Sequence, residues 1–220
     1  MKFCMPSLLI SSLSTLVAVV SISAHSAGGP AAAPKAYQGG DADAGKALTQ
    51  VCAACHGDDG NSASPANPKL AGQGERYLLK QLQDIQSGER DIALMTGLLD
   101  NLSEQDLKNI AAYYAAGTQT DGAADPALVE LGEEIYRNGQ HERGIAACTG
   151  CHGPAGLGNE PALFPRLAGQ HADYIAQQLR HFAEGRRQND GEGRAMRGIA
   201  ERMNENEIKA VSSYIEGLRY

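Results

Sequence analysis

The sequence has 220 residues, of which 42% are hydrophobic and 20% are charged; this composition is typical of a globular protein and excludes a disordered chain. Its formal net charge of −7, without any basic run, argues against nucleic acid as a partner. Three Phe and no Trp are few for two domains of about a hundred residues each, and a large bound apolar cofactor would relieve that shortage.

The first predicted element is an apolar segment near the N-terminus. Lys2 precedes an apolar stretch over residues 8–20, and residues 24–26 supply small side chains where a signal peptidase reads the chain. The segment over 7–24 contains seven Ser or Thr, which is short and polar for a membrane span. We therefore predict a signal peptide over 1–26; a retained membrane anchor is the alternative.

The remainder of the chain is an internal duplication. Three pairs of segments recur in the same order with offsets of 96, 97 and 101 residues, which indicates small insertions between two copies. They are VCAACHG at 51–57 with ACTGCHG at 147–153, NPKLAGQGERYLLKQL at 67–82 with FPRLAGQHADYIAQQL at 164–179, and LSEQDLKNIAAYY at 102–114 with MNENEIKAVSSYI at 203–215. Gly, Thr, Asp and Pro interrupt the apolar pattern over 117–126. We predict two similar domains, 27–118 and 126–220, joined by a linker over 119–125.

Within each copy the apolar residues recur with helical periodicity. In the first copy Leu78, Leu82 and Ile85 fall at i, i+4 and i+7, and the equivalent residues of the second copy do the same. A capping box precedes the final helix of each copy, formed by Ser103 with Asp106 and by Asn204 with Glu207. No segment shows the alternation of a strand. We therefore predict an all-α fold in two similar lobes.

The most informative motif is Cys-x-x-Cys-His, which occurs once in each copy. Three chemistries use paired cysteines: a structural zinc site, a thiol–disulfide redox pair and covalent attachment of haem. A zinc ribbon needs its two pairs about 15–20 residues apart, whereas 92 residues separate Cys55 from Cys148. A thioredoxin-like pair follows a strand in an α/β fold, which neither copy predicts. The redox pair also leaves the histidine without a role.

Haem attachment accounts for every residue of the motif. The two thiols add to the vinyl groups of the haem, and the histidine that follows lies beneath the ring and coordinates the iron. We therefore predict two covalently bound haem c groups. Their attachment residues are Cys52, Cys55, Cys148 and Cys151, and the proximal iron ligands are His56 and His152.

The sixth ligand of each iron is assigned from the repeat. Once the signal peptide is removed, three methionines remain: Met95, Met196 and Met203. At the offset of 101, Met95 pairs with Met196, whereas Met203 pairs with Leu102. We predict that Met95 and Met196 are the axial ligands, in loops ahead of the final helices. The alternative is that these two methionines are flexible core residues.

Two further sets of residues are interpreted from the pattern. Pro68 follows the first motif and Pro165 the second, and a backbone carbonyl there can accept the imidazole N–H of the proximal histidine; a simple turn proline is the alternative. The remaining histidines of the second copy are interpreted as surface or helix histidines. They are His141, His171 and His181.

Taken together, these residues resemble the cytochrome c4 family, dihaem proteins built from two class I cytochrome c domains. The resemblance is carried by CAACHGDDGNS at 52–62, PKLAGQ at 68–73, CTGCHGPAG at 148–156, PRLAGQ at 165–170, and the two aligned methionines. It implies two tandem class I cytochrome c domains related by pseudo-twofold symmetry. One departure is the loop over 185–197, which is far more basic than its counterpart. This loop leaves open whether the two domains dock alike and how their haem potentials compare.

The resemblance also implies a function. Proteins of this family are periplasmic electron carriers, often loosely associated with the membrane, that pass electrons from the bc1 complex or other donors to a terminal oxidase such as the cbb3 class. Because His and Met close both axial positions of each iron, we expect a carrier and not an enzyme. The alternative is a dihaem cytochrome subunit of a flavin-dependent sulfide dehydrogenase or of another periplasmic oxidoreductase.

Overall fold

Helices supply the regular secondary structure throughout residues 37–219 of the computed structural model, which describes those residues and residues 1–2. Strand pairing in this part is limited to two isolated bridges. The α-helices are α1 (Ala42–Leu48), α2 (Gln50–His56), α3 (Glu75–Ser87), α4 (Glu104–Ala115), α5 (Val129–Asn138), α6 (Thr149–His152), α7 (Ala172–Ala183), α8 (Ala195–Ala200) and α9 (Glu205–Gly217). Two 3₁₀ turns span Ala93–Met95 and His141–Arg143. The predicted all-α fold is confirmed.

The predicted signal peptide lies outside the described residues, apart from its first two positions. In the part of the chain that the structure describes, no helix has both the length and the apolar character needed to span a membrane. From Gln38 onward the described residues form one compact unit. The boundaries over 27–118, 119–125 and 126–220 therefore stay a prediction.

Both predicted capping boxes are confirmed. The hydroxyl of Ser103 accepts a hydrogen bond from the backbone N–H of Asp106 at the start of α4, and the carboxylate of Asp106 accepts one from the backbone N–H of Ser103. Asn204 and Glu207 make the same reciprocal pair at the start of α9. These pairs satisfy backbone N–H groups that a helix leaves without partners in its first turn. The two helices that carry most of the core therefore begin at equivalent positions of the repeat.

Each half buries its apolar residues around its last helix. In the first half α1 and α3 pack against α4, and in the second half α5 and α7 pack against α9. The first core centres on Leu78, Leu107, Ile110 and Tyr114. The second core is larger and includes Ile135, Tyr136, Leu179, Phe182 and Val211. The duplicated sequence therefore folds into two similar helical halves.

A glycine lets the first and last helices of each half cross closely. A Cβ atom on Gly45 of α1 would lie 2.0 Å from the carbonyl oxygen of Asn109 in α4. A Cβ atom on Gly132 of α5 would lie 2.3 Å from the carbonyl oxygen of Ala210 in α9. Asn109 and Ala210 are equivalent at the offset of 101. The two halves therefore use the same close helix crossing.

We expect Gly45→Ala and Gly132→Ala each to lower the free energy of unfolding by about 1–3 kcal/mol or more, because the added methyl group forces two helix backbones apart. Urea denaturation followed by circular dichroism measures the loss. The matched control is Gly150→Ala, since a Cβ atom there meets nothing within 4 Å and the equivalent residue of the first half is Ala54. Unchanged stability in Gly45→Ala would contradict the close crossing.

Two glutamine side chains join the halves reciprocally. The backbone N–H of Lys69 donates to Oε1 of Gln170 at 2.9 Å, and Nε2 of Gln170 donates back to the carbonyl of Lys69 at 2.8 Å. Gln73 makes the same two bonds with the backbone of Arg166, at 2.7 and 2.9 Å. At the offset of 97, Lys69 matches Arg166 and Gln73 matches Gln170. This exchange is the contact pattern of a twofold axis, which agrees with the expected pseudo-twofold symmetry.

A buried polar cluster also lies between the two halves, and part of it follows the same pseudo-twofold symmetry. Arg90 donates to Tyr174 and Gln178 of the second half, each at 3.1 Å. Its equivalent, Arg187, donates to Tyr77 and Gln81 of the first half, each at 3.0 Å. The symmetry ends where Asp84 of the first half is replaced by His181 in the second half. We call these residues the arginine cluster, together with Lys80 and Asn189, which bond to Asp84.

Candidate metal centres

Each Cys-x-x-Cys-His motif lies on one short helix. Cys52, Cys55 and His56 belong to α2. Cys148 is the N-cap of α6, which carries the cysteine and the histidine that follow it. Within the described residues the four thiols are free, and the first thiol of each pair is partly buried whereas the second is exposed. Burial raises the pKa of the Cys52 thiol and raises that of Cys148 to about 11.

Both histidines of the motifs are buried and oriented in the same way. Nδ1 of His56 lies 2.9 Å from the carbonyl oxygen of Pro68, and Nδ1 of His152 lies 2.9 Å from that of Pro165. A carbonyl oxygen accepts only, so Nδ1 carries the proton in each ring. The predicted bond from the imidazole to the carbonyl group of each proline is confirmed.

The protonation state of these histidines suits a metal ligand. Burial lowers the pKa of His56 and of His152 below the ordinary value, and the bond to the proline carbonyl only partly offsets that effect. Each ring is therefore neutral at neutral pH, with the lone pair on Nε2 available to a metal. The bond at Nδ1 fixes the ring orientation and raises its basicity as a ligand.

The donor set fits haem better than the alternatives. Among the described residues no three His, Cys, Asp or Glu side chains come together in a group that could hold a metal ion, whereas a structural zinc site uses four such ligands. A thioredoxin-like pair would follow a strand, and α2 and α6 follow helices or turns in a helical chain. Two thiols on one helical turn beside a buried neutral histidine are the arrangement that haem attachment requires.

A tyrosine lies beside the first cysteine of each motif, and neither tyrosine was predicted from the sequence. Tyr114 of α4 interacts with Cys52, and Tyr136 of α5 interacts with Cys148. Burial is the main reason why the pKa of both hydroxyl groups is raised. The hydroxyl of Tyr136 also donates to the carbonyl of Gly153 at 2.8 Å. The tyrosines come from helices that are not equivalent, so an alignment of the two copies carries no signal for this pair.

The structure places the methionines in helical segments, and the prediction that both lie in loops is wrong. Met95 is partly buried and ends the 3₁₀ turn Ala93–Met95, while Met196 is the second residue of α8. Met203 and Leu102, which the offset of 101 equates, are both partly buried and pack against the core of their own half. This agreement supports the alignment that pairs Met95 with Met196. Met196 also packs against the core of the second half, so the alignment, and not core packing, distinguishes it from Met203.

The three other histidines among the described residues differ in exposure. His141 is exposed in a 3₁₀ turn, and His181 of α7 is partly buried, which is the main reason why its pKa is lowered. His171 instead lies between the halves, where its Nε2 donates to the carbonyl of Ser62 at 2.8 Å and its Nδ1 lies 3.5 Å from Glu216. The interpretation of His171 as a surface or helix histidine is therefore wrong: this residue joins the two halves.

The basic loop over 185–197 is less available to partners than its sequence suggests. Arg187 is buried in the arginine cluster. Arg186 pairs with Glu184, and Nε of Arg197 donates to Asp190 at 2.6 Å. Much of the positive charge that distinguishes this loop is therefore engaged within the chain.

Comparisons with known proteins agree with this geometry. The family model described as Cytochrome c matches residues 42–116 and 129–219. A cytochrome c4 of Azotobacter vinelandii is 56% identical, over 83% of this chain and 91% of its own length. A thiosulfate dehydrogenase electron acceptor of Stutzerimonas stutzeri is 39% identical, over 74% of this chain and 77% of its own. The crystal structure of reduced recombinant cytochrome c4 from Pseudomonas stutzeri matches with a TM-score of 0.81 and 54% identity, over 82% of this chain and 100% of that chain.

Proposed function

The chain belongs to the cytochrome c4 family, and on that premise we propose that it carries electrons in the periplasm from a respiratory donor, such as the bc1 complex, to a terminal oxidase of the cbb3 class. Membership establishes two tandem cytochrome c domains and two covalently bound haem c groups. Proteins of this family are electron carriers. The periplasmic location, the loose membrane association and the two partners are our proposal.

We propose that the residues named from the sequence hold the haems. Attachment is by Cys52 and Cys55 in the first domain and by Cys148 and Cys151 in the second; the iron ligands are His56 with Met95 and His152 with Met196. The observation that carries this proposal is the buried neutral histidine beside each cysteine pair, held at 2.9 Å to a proline carbonyl. The alignment of the two copies supports the choice of methionines, since it pairs Met95 with Met196 and Met203 with the core residue Leu102.

The chain's own residues account for a carrier. When bound, each haem supplies an iron that changes by one electron between its ferrous and ferric states. With a histidine and a methionine both bound to it, the iron would have no position open to oxygen or peroxide. The thioether of a methionine is a soft ligand that favours the ferrous state and raises the potential. Burial of the histidines keeps water from the proximal side.

Exposed apolar side chains beside the proposed ligands favour docking at the first domain. Leu94 is 83% exposed and precedes Met95, and Val51 is 55% exposed and precedes Cys52. The equivalent residues of the second domain are alanines, Ala195 and Ala147. A redox partner that buries apolar surface over the haem edge would therefore gain more from the first domain.

We expect the reduced protein to be oxidised by membranes that contain a terminal oxidase. Leu94→Asp should slow this oxidation about tenfold, equivalent to about 1.4 kcal/mol, because it places a charge in the apolar contact. The matched control, Ala195→Asp, should leave the rate unchanged. Stopped-flow absorbance of the haem bands measures both rates.

Rapid binding of carbon monoxide by the untreated protein would contradict the proposal that the protein is an electron carrier. Carbon monoxide binds only to an iron with an open position, and such an iron favours an enzyme.

A second candidate follows from one relative. The protein of Stutzerimonas stutzeri at 39% identity is named as the electron acceptor of thiosulfate dehydrogenase, so the donor of this chain could be a periplasmic sulfur-oxidising dehydrogenase instead of the bc1 complex. The cytochrome subunit of a flavin-dependent sulfide dehydrogenase belongs to the same class of donor. Purification of the native protein under mild conditions separates the cases, because a dehydrogenase or flavoprotein that accompanies it favours this candidate.

A further inference from the structure

The peptide group between Pro68 and Lys69 makes a hydrogen bond through its carbonyl oxygen and another through its N–H. Its carbonyl oxygen accepts from Nδ1 of His56 at 2.9 Å. Its N–H donates to Oε1 of Gln170, in the second half, at 2.9 Å. A single peptide unit therefore lies between the imidazole of one domain and a glutamine of the other.

The second domain repeats this arrangement in the opposite direction. The peptide group between Pro165 and Arg166 accepts from Nδ1 of His152 at 2.9 Å. The N–H of the same peptide donates to Oε1 of Gln73, in the first half, at 2.7 Å. Each proximal histidine is thus linked through one peptide to the glutamine of the other domain.

Both glutamines are buried and make several hydrogen bonds. Gln73 is 8% exposed and Gln170 is 4% exposed. Each Oε1 also accepts the backbone N–H of the next residue, Gly74 or His171, at 3.0 and 3.1 Å. Each Nε2 donates across the contact to the residue that supplies the peptide N–H. Hydrogen bonds in such a low-dielectric site polarise one another, so a change at one end is felt at the other.

We propose that Gln170 and Gln73 are positioning residues that tune the proximal histidine of the opposite domain, Gln170 acting on His56 and Gln73 on His152. Acceptance of the peptide N–H by Oε1 makes the carbonyl oxygen of that peptide more negative. A stronger acceptor draws the Nδ1 proton and makes the imidazole a more basic ligand. A more basic ligand stabilises ferric iron, so the glutamine lowers the potential of the opposite haem. This inference rests on the proposed ligation by His56 and His152.

The contact between the domains therefore affects the proximal histidine of each haem, because a glutamine from the other domain bonds to the peptide that holds that histidine. Packing of the halves brings each glutamine to the peptide, and separation of the halves removes it. The potential of each haem therefore depends on a side chain of the other domain, in addition to any direct electrostatic effect of one iron on the other.

The test is a pair of substitutions, Gln170→Met and Gln73→Met, in the full protein with both haems attached. Gln170→Met should raise the potential of the first-domain haem and leave the second unchanged; Gln73→Met should do the reverse. Redox titration gives the two potentials, and Met95→Ala and Met196→Ala identify which haem each belongs to. In the reduced protein, NMR should show the Nδ1 proton of His56 shifted to higher field in Gln170→Met and that of His152 unmoved.

Conservative variants distinguish an effect of Gln170 on the proximal histidine from a simple loss of side-chain packing. Gln170→Glu retains an oxygen acceptor for the N–H of Lys69, so the Nδ1 proton of His56 should return toward its position in the unsubstituted protein. If Gln170→Met does not fold, Gln170→Asn takes its place, since its shorter amide cannot reach Lys69 and must give the same shift at His56.

Three results would overturn the inference: a shift confined to the haem of the substituted domain, equal shifts of both haems, or no shift in a folded variant. Failure of the proposed ligation gives a different result. In that case the unsubstituted protein itself would lack the near-infrared band of methionine bound to ferric iron, or would show no Nδ1 proton assignable to His56 and His152 beside a haem.

Discussion

Met196→Ala is expected to remove half of the near-infrared absorption that reports a bond between methionine sulfur and ferric iron. It should also lower the potential of one of the two haems, because loss of the soft thioether removes a ligand that favours the ferrous state. Met95→Ala should remove the other half of the band and lower the other potential. Absorption spectra of the oxidised protein and redox titration of each variant measure these effects.

The matched control for these two substitutions is Met203→Ala. Met203 packs against the core of the second half, as Leu102 does in the first. We expect Met203→Ala to leave both the band and the potentials unchanged and to lower the free energy of unfolding by about 2 kcal/mol, the lower end of the range for a buried methionine, since this side chain is only partly buried. Loss of the band in Met203→Ala would mean that the alignment is misplaced before α9 and that Met203 is the ligand.

Patterns of residues close together in the sequence were sufficient to predict the helices and the hydrogen bonds of the motifs. The capping boxes at Ser103 and Asn204 depend on residues three positions apart, and both form as predicted. The bond from each motif histidine to a proline carbonyl also follows from a short spacing, of 12 residues in the first half and 13 in the second. Features of this kind are fixed by neighbouring residues, so the sequence predicts them well.

Features that depend on how the halves meet could not be predicted in this way. His171 carries no signal of its contact with Ser62, because 109 residues separate them. Arg187 belongs to a loop that appears basic and exposed in the sequence, yet its side chain turns into the contact with the first half. The alignment of the copies equates Tyr114 with Ile215, so it hides Tyr136, which takes the place beside Cys148 from another helix.

The arginine cluster joins the halves through charge as well as through hydrogen bonds. Arg90 and Arg187 are 7% and 8% exposed. Lys80 adds a third cation and pairs with Asp84, the one acidic side chain among the residues of the cluster. Burial by itself would raise the pKa of the Tyr174 hydroxyl, but the two guanidinium groups outweigh burial and lower that pKa below its ordinary value. The contact therefore holds an excess of positive charge.

Two effects of opposite sign decide what Arg187 contributes to the free energy of unfolding. Its removal relieves repulsion from Arg90 across the cluster. It also removes four hydrogen bonds, which the guanidinium donates to Tyr77, Gln81, Gln178 and Asn189 at 2.9–3.0 Å. Gln81 and Gln178 each keep a hydrogen bond from Arg90, so the acceptors that lose a donor are Tyr77 and Asn189. A hydrogen bond from a charged donor is worth about 1.5–3 kcal/mol, and unsatisfied buried groups add to the cost. The polar side chains that lie between the two arginines weaken their repulsion. We therefore expect the lost hydrogen bonds to have the larger effect on stability.

Arg187→Met should therefore lower the free energy of unfolding by about 3 kcal/mol. It should also weaken the contact between the halves enough to split urea denaturation into two transitions, each followed by the spectrum of one haem. Arg186→Met is the matched control at the adjacent residue. Its side chain is 59% exposed and pairs with Glu184 on the surface, so its removal should cost at most about 1 kcal/mol. Arg187→Lys keeps the charge without the planar fork and should restore only part of the loss. Equal stability of Arg187→Met and the unsubstituted protein would show that relief of repulsion balances the lost hydrogen bonds, and that apolar packing and the two glutamine pairs suffice to hold the halves together.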